Sequence, residues 1–81
     1  MHIEIYSKEN CPFCTKALNL AEKINSKYEE HTYENFMLDE DFNREELMQL
    51  FPKAKTFPQI TIDKISIGGY TEFAKVCEYL K

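Results

Sequence analysis

An 81-residue chain that is 43% apolar and 14% aromatic has room for one hydrophobic core, and two Gly with three Pro exclude a linker-built or low-complexity protein. Ten Lys and Arg against fourteen Asp and Glu leave a formal charge of −4, which argues against a nucleic-acid binder; no apolar run approaches the roughly 20 residues that span a bilayer. Three Cys, two of them three positions apart, do not make a secreted disulfide framework, and with a start that lacks a secretion-signal layout they predict a single domain over residues 1–81 in the reducing cytoplasm.

The first element is a strand over His2–Tyr6, where polar and apolar residues alternate and Ile3 and Ile5 share a face. After the polar stretch Ser7–Asn10, Ala17, Leu18, Ala21, Ile24 and Tyr28 recur at helical spacing. Cys11 is the N-cap of that helix and Pro12 its first residue, a place where the missing proline N–H costs nothing. A second strand is expected over His31–Leu38, with Tyr33, Phe36, Met37 and Leu38 in imperfect alternation. A short second helix follows over Asn43–Phe51. The acidic run Asp39, Glu40, Asp41, Glu45 and Glu46 reads as its solvated start, favoured by the helix dipole, rather than as a metal or partner site. Pro52 ends this helix. Gln59–Ile62 and Ile65–Ile67 alternate about Asp63-Lys64 and predict a hairpin. Gly68-Gly69 breaks the last strand, Thr71 caps a terminal helix, and Phe73, Val76, Cys77 and Leu80 form its apolar stripe. A right-handed βαβ unit and an antiparallel hairpin join these elements into an α/β fold: one four-stranded sheet with helices on both faces.

Cys11-Pro12-Phe13-Cys14 is a C-x-x-C between the strand and the helix of a βαβ pattern, the setting in which such a pair does dithiol chemistry. A sulfur at the N-cap replaces the capping oxygen and accepts from the N–H groups of Phe13 and Cys14, which stabilises a thiolate. Lowering an ordinary thiol pKa by two units takes about 2.7 kcal/mol, whereas a helix terminus supplies at most about 2 kcal/mol. Direct N–H contacts and the nearby cation Lys8 are expected to make up the difference. Cys14, one turn into the helix, is less exposed and becomes the resolving thiol. As a structural staple, a disulfide closing so short a loop contributes roughly 2 kcal/mol at best. As a zinc site the pair lacks its other half, because His2, His31 and Cys77 form no close-spaced ligand pair, and no metal is expected. Cys77 reads as a packing residue, and His2 and His31, at strand starts, as edge or surface residues without a role. Thr56-Phe57-Pro58 opens the third strand, where a proline without an N–H fits. Pro58 is either a plain strand start or a cis residue that turns the Phe57 backbone toward the cysteines. Gly68-Gly69-Tyr70-Thr71-Glu72 is either a turn and cap or a set of exposed N–H groups suited to a carboxylate.

With these three motifs in this order and spacing, the chain resembles a dithiol glutaredoxin of the thioredoxin superfamily over nearly its whole length. The resemblance implies a minimal thioredoxin fold with sheet order 2-1-3-4, a cis Pro58 facing the cysteines, and glutathione as reducing co-substrate. It implies that glutathione lies beside Phe13 and along Thr56, Phe57 and Pro58, with the Phe57 backbone pairing to the tripeptide. The segment Gly69, Tyr70, Thr71 and Glu72 then takes the γ-glutamyl carboxylate on the Thr71 and Glu72 N–H groups, and Lys8 receives the glycine carboxylate. The implied activity is attack by the Cys11 thiolate on a protein disulfide or glutathione mixed disulfide, with Cys14 resolving the former. The implied partners are disulfide-containing proteins, ribonucleotide reductase among them, met by a monomer. The chain departs from the family pattern at Phe13, where Tyr is common, at Phe57, where Val is usual, and at Glu72, where Asp is usual. Nothing is carried over to Glu45, in the second-helix region where relatives contact glutathione. Two other readings stay open. One is an electron donor reduced by thioredoxin reductase, against which the carboxylate-suited Gly68–Thr71 segment speaks. The other is a glutathione-ligated iron–sulfur binding module on Cys11, which Pro12 disfavours by stiffening the loop.

Overall fold

In the computed structural model, which describes residues 1–27 and 30–79, the elements run β1 (His2–Ser7), α1 (Pro12–Lys27), β2 (Thr32–Met37), α2 (Arg44–Leu50), β3 (Gln59–Ile62), β4 (Ile65–Gly68) and α3 (Tyr70–Glu78). Tyr28 and Leu80, expected in the two helical stripes, lie outside the described residues. The sheet order is β2-β1-β3-β4, with β1 parallel to β2 and antiparallel to β3, and β4 antiparallel to β3. This is the expected β-α-β-α-β-β-α arrangement in the 2-1-3-4 order.

Alternation along β1 sends Ile3 and Ile5 to one face and Glu4 and Tyr6 to the other. On the first face they meet Ala17, Ala21 and Ile24 of α1, Ile60 of β3 and Phe73 of α3 in one buried cluster. Helical spacing puts the two alanines and Ile24 on one stripe, and the small alanines let α1 lie close to the sheet. On the second face Phe42, Leu47 and Phe51 pack against Tyr6, Phe36, Leu38, Ala54 and Phe57. The buried Glu4 carboxylate on that face is paired, accepting from Thr61 Oγ1 at 3.1 Å and from Lys64 Nζ at 3.2 Å. Tyr6 is pushed above the ordinary phenol pKa by burial and by the Glu4 charge.

Local chemistry explains the element ends. Asn43 caps α2, its side chain accepting from the Glu46 N–H at 2.8 Å while Glu46 accepts from the Asn43 N–H at 3.1 Å. The acids of the 39–46 run are solvent-exposed, as expected of a solvated helix start. Asp63 and Lys64 both have positive φ, 51° and 71°, as a two-residue hairpin loop requires. Asp63 is tied to β1 on two sides: its carboxylate accepts from the His2 N–H, and its own N–H donates to the His2 carbonyl, both at 2.8 Å.

Three expectations change. The N-cap of α3 is Gly69, in extended backbone, rather than Thr71, which lies inside the helix. The reason is Glu72, whose carboxylate reaches back one turn to accept from the Gly69 N–H at 3.1 Å. β2 is shorter at both ends than His31–Leu38, because its pairing with β1 runs from Thr32 to Met37. His2 starts an inner strand and not an edge one, its partly exposed ring bonding to Thr32 Oγ1 at 2.7 Å, whereas the His31 side chain is mostly buried and so is not the surface residue expected.

Candidate functional site

Ser7 ends β1, and a turn through Asn10, at φ 55°, carries the chain into α1. Pro12 opens the helix and the Thr15 N–H makes the first helical bond to the Cys11 carbonyl at 3.1 Å, so Cys11 is at the N-cap. The Cys14 N–H, one of the two donors expected, points to the Cys11 sulfur at 3.3 Å. The two cysteines are joined as a disulfide with their Cα atoms 5.2 Å apart. Cys14 is buried at 3% exposure and Cys11 is partly exposed, which orders the two sulfurs by accessibility. Lys8, Cys11 and Cys14 line one hollow with Met37 and Leu18.

A groove of about 810 Å³ runs beside the cysteine pair. Phe13, Thr56, Phe57, Pro58, Gly69, Tyr70, Thr71 and Glu72, all singled out in the sequence, line it together. The Phe57–Pro58 peptide is cis, one of the two alternatives open from sequence. Across the groove α3 begins close to this bend: a Cβ on Gly69 would lie 3.4 Å from the Pro58 carbonyl oxygen. Gly68 has φ +108°, which favours glycine on its own, and a Cβ there would meet Glu72 Oε1 at 2.5 Å, so a side chain at 68 would also displace the carboxylate cap. Backbone N–H groups in the first turn of α3 lack intrahelical acceptors, which makes that end suitable for a carboxylate.

Aromatic rings and cations frame the site. Lys8 Nζ lies 5.6 Å from the centroid of the Phe57 ring, so the cation rests on the groove wall. The Phe57 ring in turn stacks on Phe42 at 6.4 Å. Phe13, 53% exposed, lies 6.0 Å from Tyr70, and Lys16 Nζ sits 5.1 Å above its ring.

Lys16, and the groove residues Leu50, Lys53 and Lys55, were not singled out from sequence. Lys16 was findable, since it stands three positions after Phe13 on one helix face. Leu50 ends α2, where helical spacing does not tell a groove residue from a packing one, and Lys53 and Lys55 lie in the following loop, which has no period. Burial pushes the Cys77 thiol up to about 11, which suits packing and not exchange. Among the described residues no group of His, Cys, Asp and Glu could hold a metal ion.

The glutaredoxin family model matches residues 3–67. The chain is 37% identical over 76 residues to glutaredoxin 1 of Escherichia coli, covering 91% of this chain and 89% of the relative. It is 36% identical over 75 residues to the glutaredoxin of Haemophilus influenzae, covering 90% and 86%. Its fold superposes on the NMR structure of oxidised Escherichia coli glutaredoxin with a TM-score of 0.81 at 35% identity, covering 96% of this chain and 94% of that one.

Proposed function

Because the chain belongs to the glutaredoxin family and is a thiol–disulfide oxidoreductase, we propose that glutathione is the reductant of its Cys11–Cys14 pair. The observation that carries the proposal is the groove beside that pair, which ends at the first turn of α3. An extended peptide laid along Phe57 brings a thiol to Cys11 and a carboxylate to the Thr71 and Glu72 N–H groups. Lys8 and the ring of Phe57 form the wall for the other end of the tripeptide.

In the forward reaction the reduced Cys11 thiolate attacks one sulfur of a substrate disulfide. A Cys11–substrate bond forms, the substrate S–S bond breaks, and the departing thiolate takes a proton. Cys14, as thiolate, then attacks the Cys11 sulfur and releases the second substrate thiol. The substrate gains two electrons and the protein becomes the Cys11–Cys14 disulfide, the form seen here. Two glutathione thiols reverse the oxidation and leave as glutathione disulfide. The substrates are disulfide-containing proteins, with ribonucleotide reductase a family-level candidate, and glutathione mixed disulfides. One chain supplies every residue invoked, which supports action as a monomer, and a glutathione-reduced dithiol suits the reducing cytoplasm.

A coupled NADPH assay tests the reductant. Turnover with glutathione and glutathione reductase is expected, and turnover with thioredoxin reductase alone would overturn the proposal. Cys11→Ser is expected to abolish exchange. Cys14→Ser should retain reduction of small glutathione mixed disulfides and lose protein disulfides; equal loss of both would refute the division of roles.

A further inference from the structure

The groove is longer than glutathione's proposed place in it. The residues offered to the tripeptide are Lys8, Phe13, Thr56 to Pro58 and Gly69 to Glu72, yet the groove continues over Leu50, Pro52, Lys53 and Ala54. Leu50 is 56% exposed at the end of α2, although Leu47 and Phe51 on either side of it are buried in the aromatic cluster. The exposed Lys53 and Lys55 line the same stretch. Of the chain's fourteen acids only Glu72 lines the groove among the described residues, and its carboxylate is engaged with the Gly69 N–H at 3.1 Å. A protein with net charge −4 therefore presents an apolar floor with a cationic rim here.

What adjoins the sulfur of a protein disulfide, and is missing from a glutathione mixed disulfide with a small thiol, is more polypeptide. We propose that the stretch from Leu50 to Ala54 is a subsite for the polypeptide flanking the substrate cysteine, selecting segments that combine an apolar side chain with acidic ones. Leu50, Pro52 and Ala54 take the apolar side chain, and Lys53 with Lys55 attracts the acids. The inference rests on the thiol–disulfide reading above and adds the substrate class to it.

The test uses pre-reduced protein in single-turnover reactions, without glutathione. Two disulfide-bridged peptides share length and apolar residues; one carries Asp and Glu beside the cysteine, the other Lys. The acidic peptide is expected to react faster with the unmodified protein. Lys53→Glu should slow the acidic peptide about fivefold, the scale of one exposed ion pair turned from attraction to repulsion, and speed the basic one. Leu50→Ser should slow both peptides, while both variants treat a small-thiol glutathione mixed disulfide as the unmodified protein does. Both residues are exposed, and an unchanged thermal midpoint verifies folding. Equal rates for the two peptides, or a Lys53→Glu effect as large on the small mixed disulfide, overturn the subsite. Failure of glutathione to support turnover in the coupled assay would sink the reductant alone, because the peptide reactions do not contain it.

Discussion

The two faces of the sheet are filled with different kinds of side chain. Under α1 and α3 lies an aliphatic layer of Ile3, Ile5, Ile24 and Ile60 with two alanines and a single ring, Phe73. Against α2 lie rings: Tyr6 is 5.1 Å from Phe36, 5.3 Å from Phe42 and 5.1 Å from Phe51. The buried aliphatic residues reach the site only through the partly buried Leu18 and Tyr70 at their margin, whereas the aromatic layer runs directly through Phe42 to Phe57 and so into the groove. The buried centre of one face therefore serves stability first. The other supplies stability and the wall against which a substrate packs, so a change there alters both.

The largest effect tests that separation on the aliphatic side. Phe73 has no exposed surface, and Phe73→Ala is expected to cost about 3–5 kcal/mol in denaturant unfolding. The exchange rate per folded molecule should not move; if it falls, the two faces are not independent. On the aromatic side, Phe42→Leu removes the ring that backs Phe57 and should cost about 1–2 kcal/mol, but with a raised KM for glutathione as well. Phe57→Val frees Lys8 from its ring and widens the groove. Stability is expected to change by less than about 1 kcal/mol while the KM for glutathione drops about threefold, and an unchanged KM would separate Phe57 from the tripeptide.

The smallest effect concerns Cys77, held at about 11 by burial against an ordinary 9.0. The folded chain keeps a proton that the unfolded chain releases above that ordinary value. The resulting stability is complete below it and is lost as pH rises toward the folded value. Thermal midpoints followed from about pH 8 to about pH 10.5 should fall less steeply in Cys77→Ala. Equal slopes would assign the alkaline loss to other groups such as Tyr6, which burial also raises.

Much of this arrangement is legible in residue order because local and global preferences coincide. Ala17, Ala21 and Ile24 mark the buried stripe of α1 by spacing, the acidic run from Asp39 to Glu46 marks the start of α2, and Asp63-Lys64 between alternating runs marks the hairpin without a glycine. The α3 cap was missed because residue type favours Thr71, while the side chain that satisfies the end is a carboxylate inside the helix. Leu50, Lys53 and Lys55 were missed for a different reason. Leu50, at the end of α2, has the spacing of a packing residue, and the loop after it has no period and becomes a groove wall only because Phe51 and Phe57 pack into the aromatic cluster. The cysteines were legible by motif and position, the cation over Phe57 only by contact.

The placement of β1 has a consequence for synthesis. It is the first strand of this sequence, yet it sits inside the sheet, and its link to the hairpin joins His2 to Asp63 across 61 residues. While the chain is being made, β1 can pair with β2 but waits for β3, so one row of its backbone groups stays open beside Ile3 and Ile5. Pairings of such sequence separation slow folding, and an open strand edge invites pairing between neighbouring chains. The unfinished chain is thus more prone to aggregate than the finished one, and it remains so until the segment that also carries Pro58 has emerged.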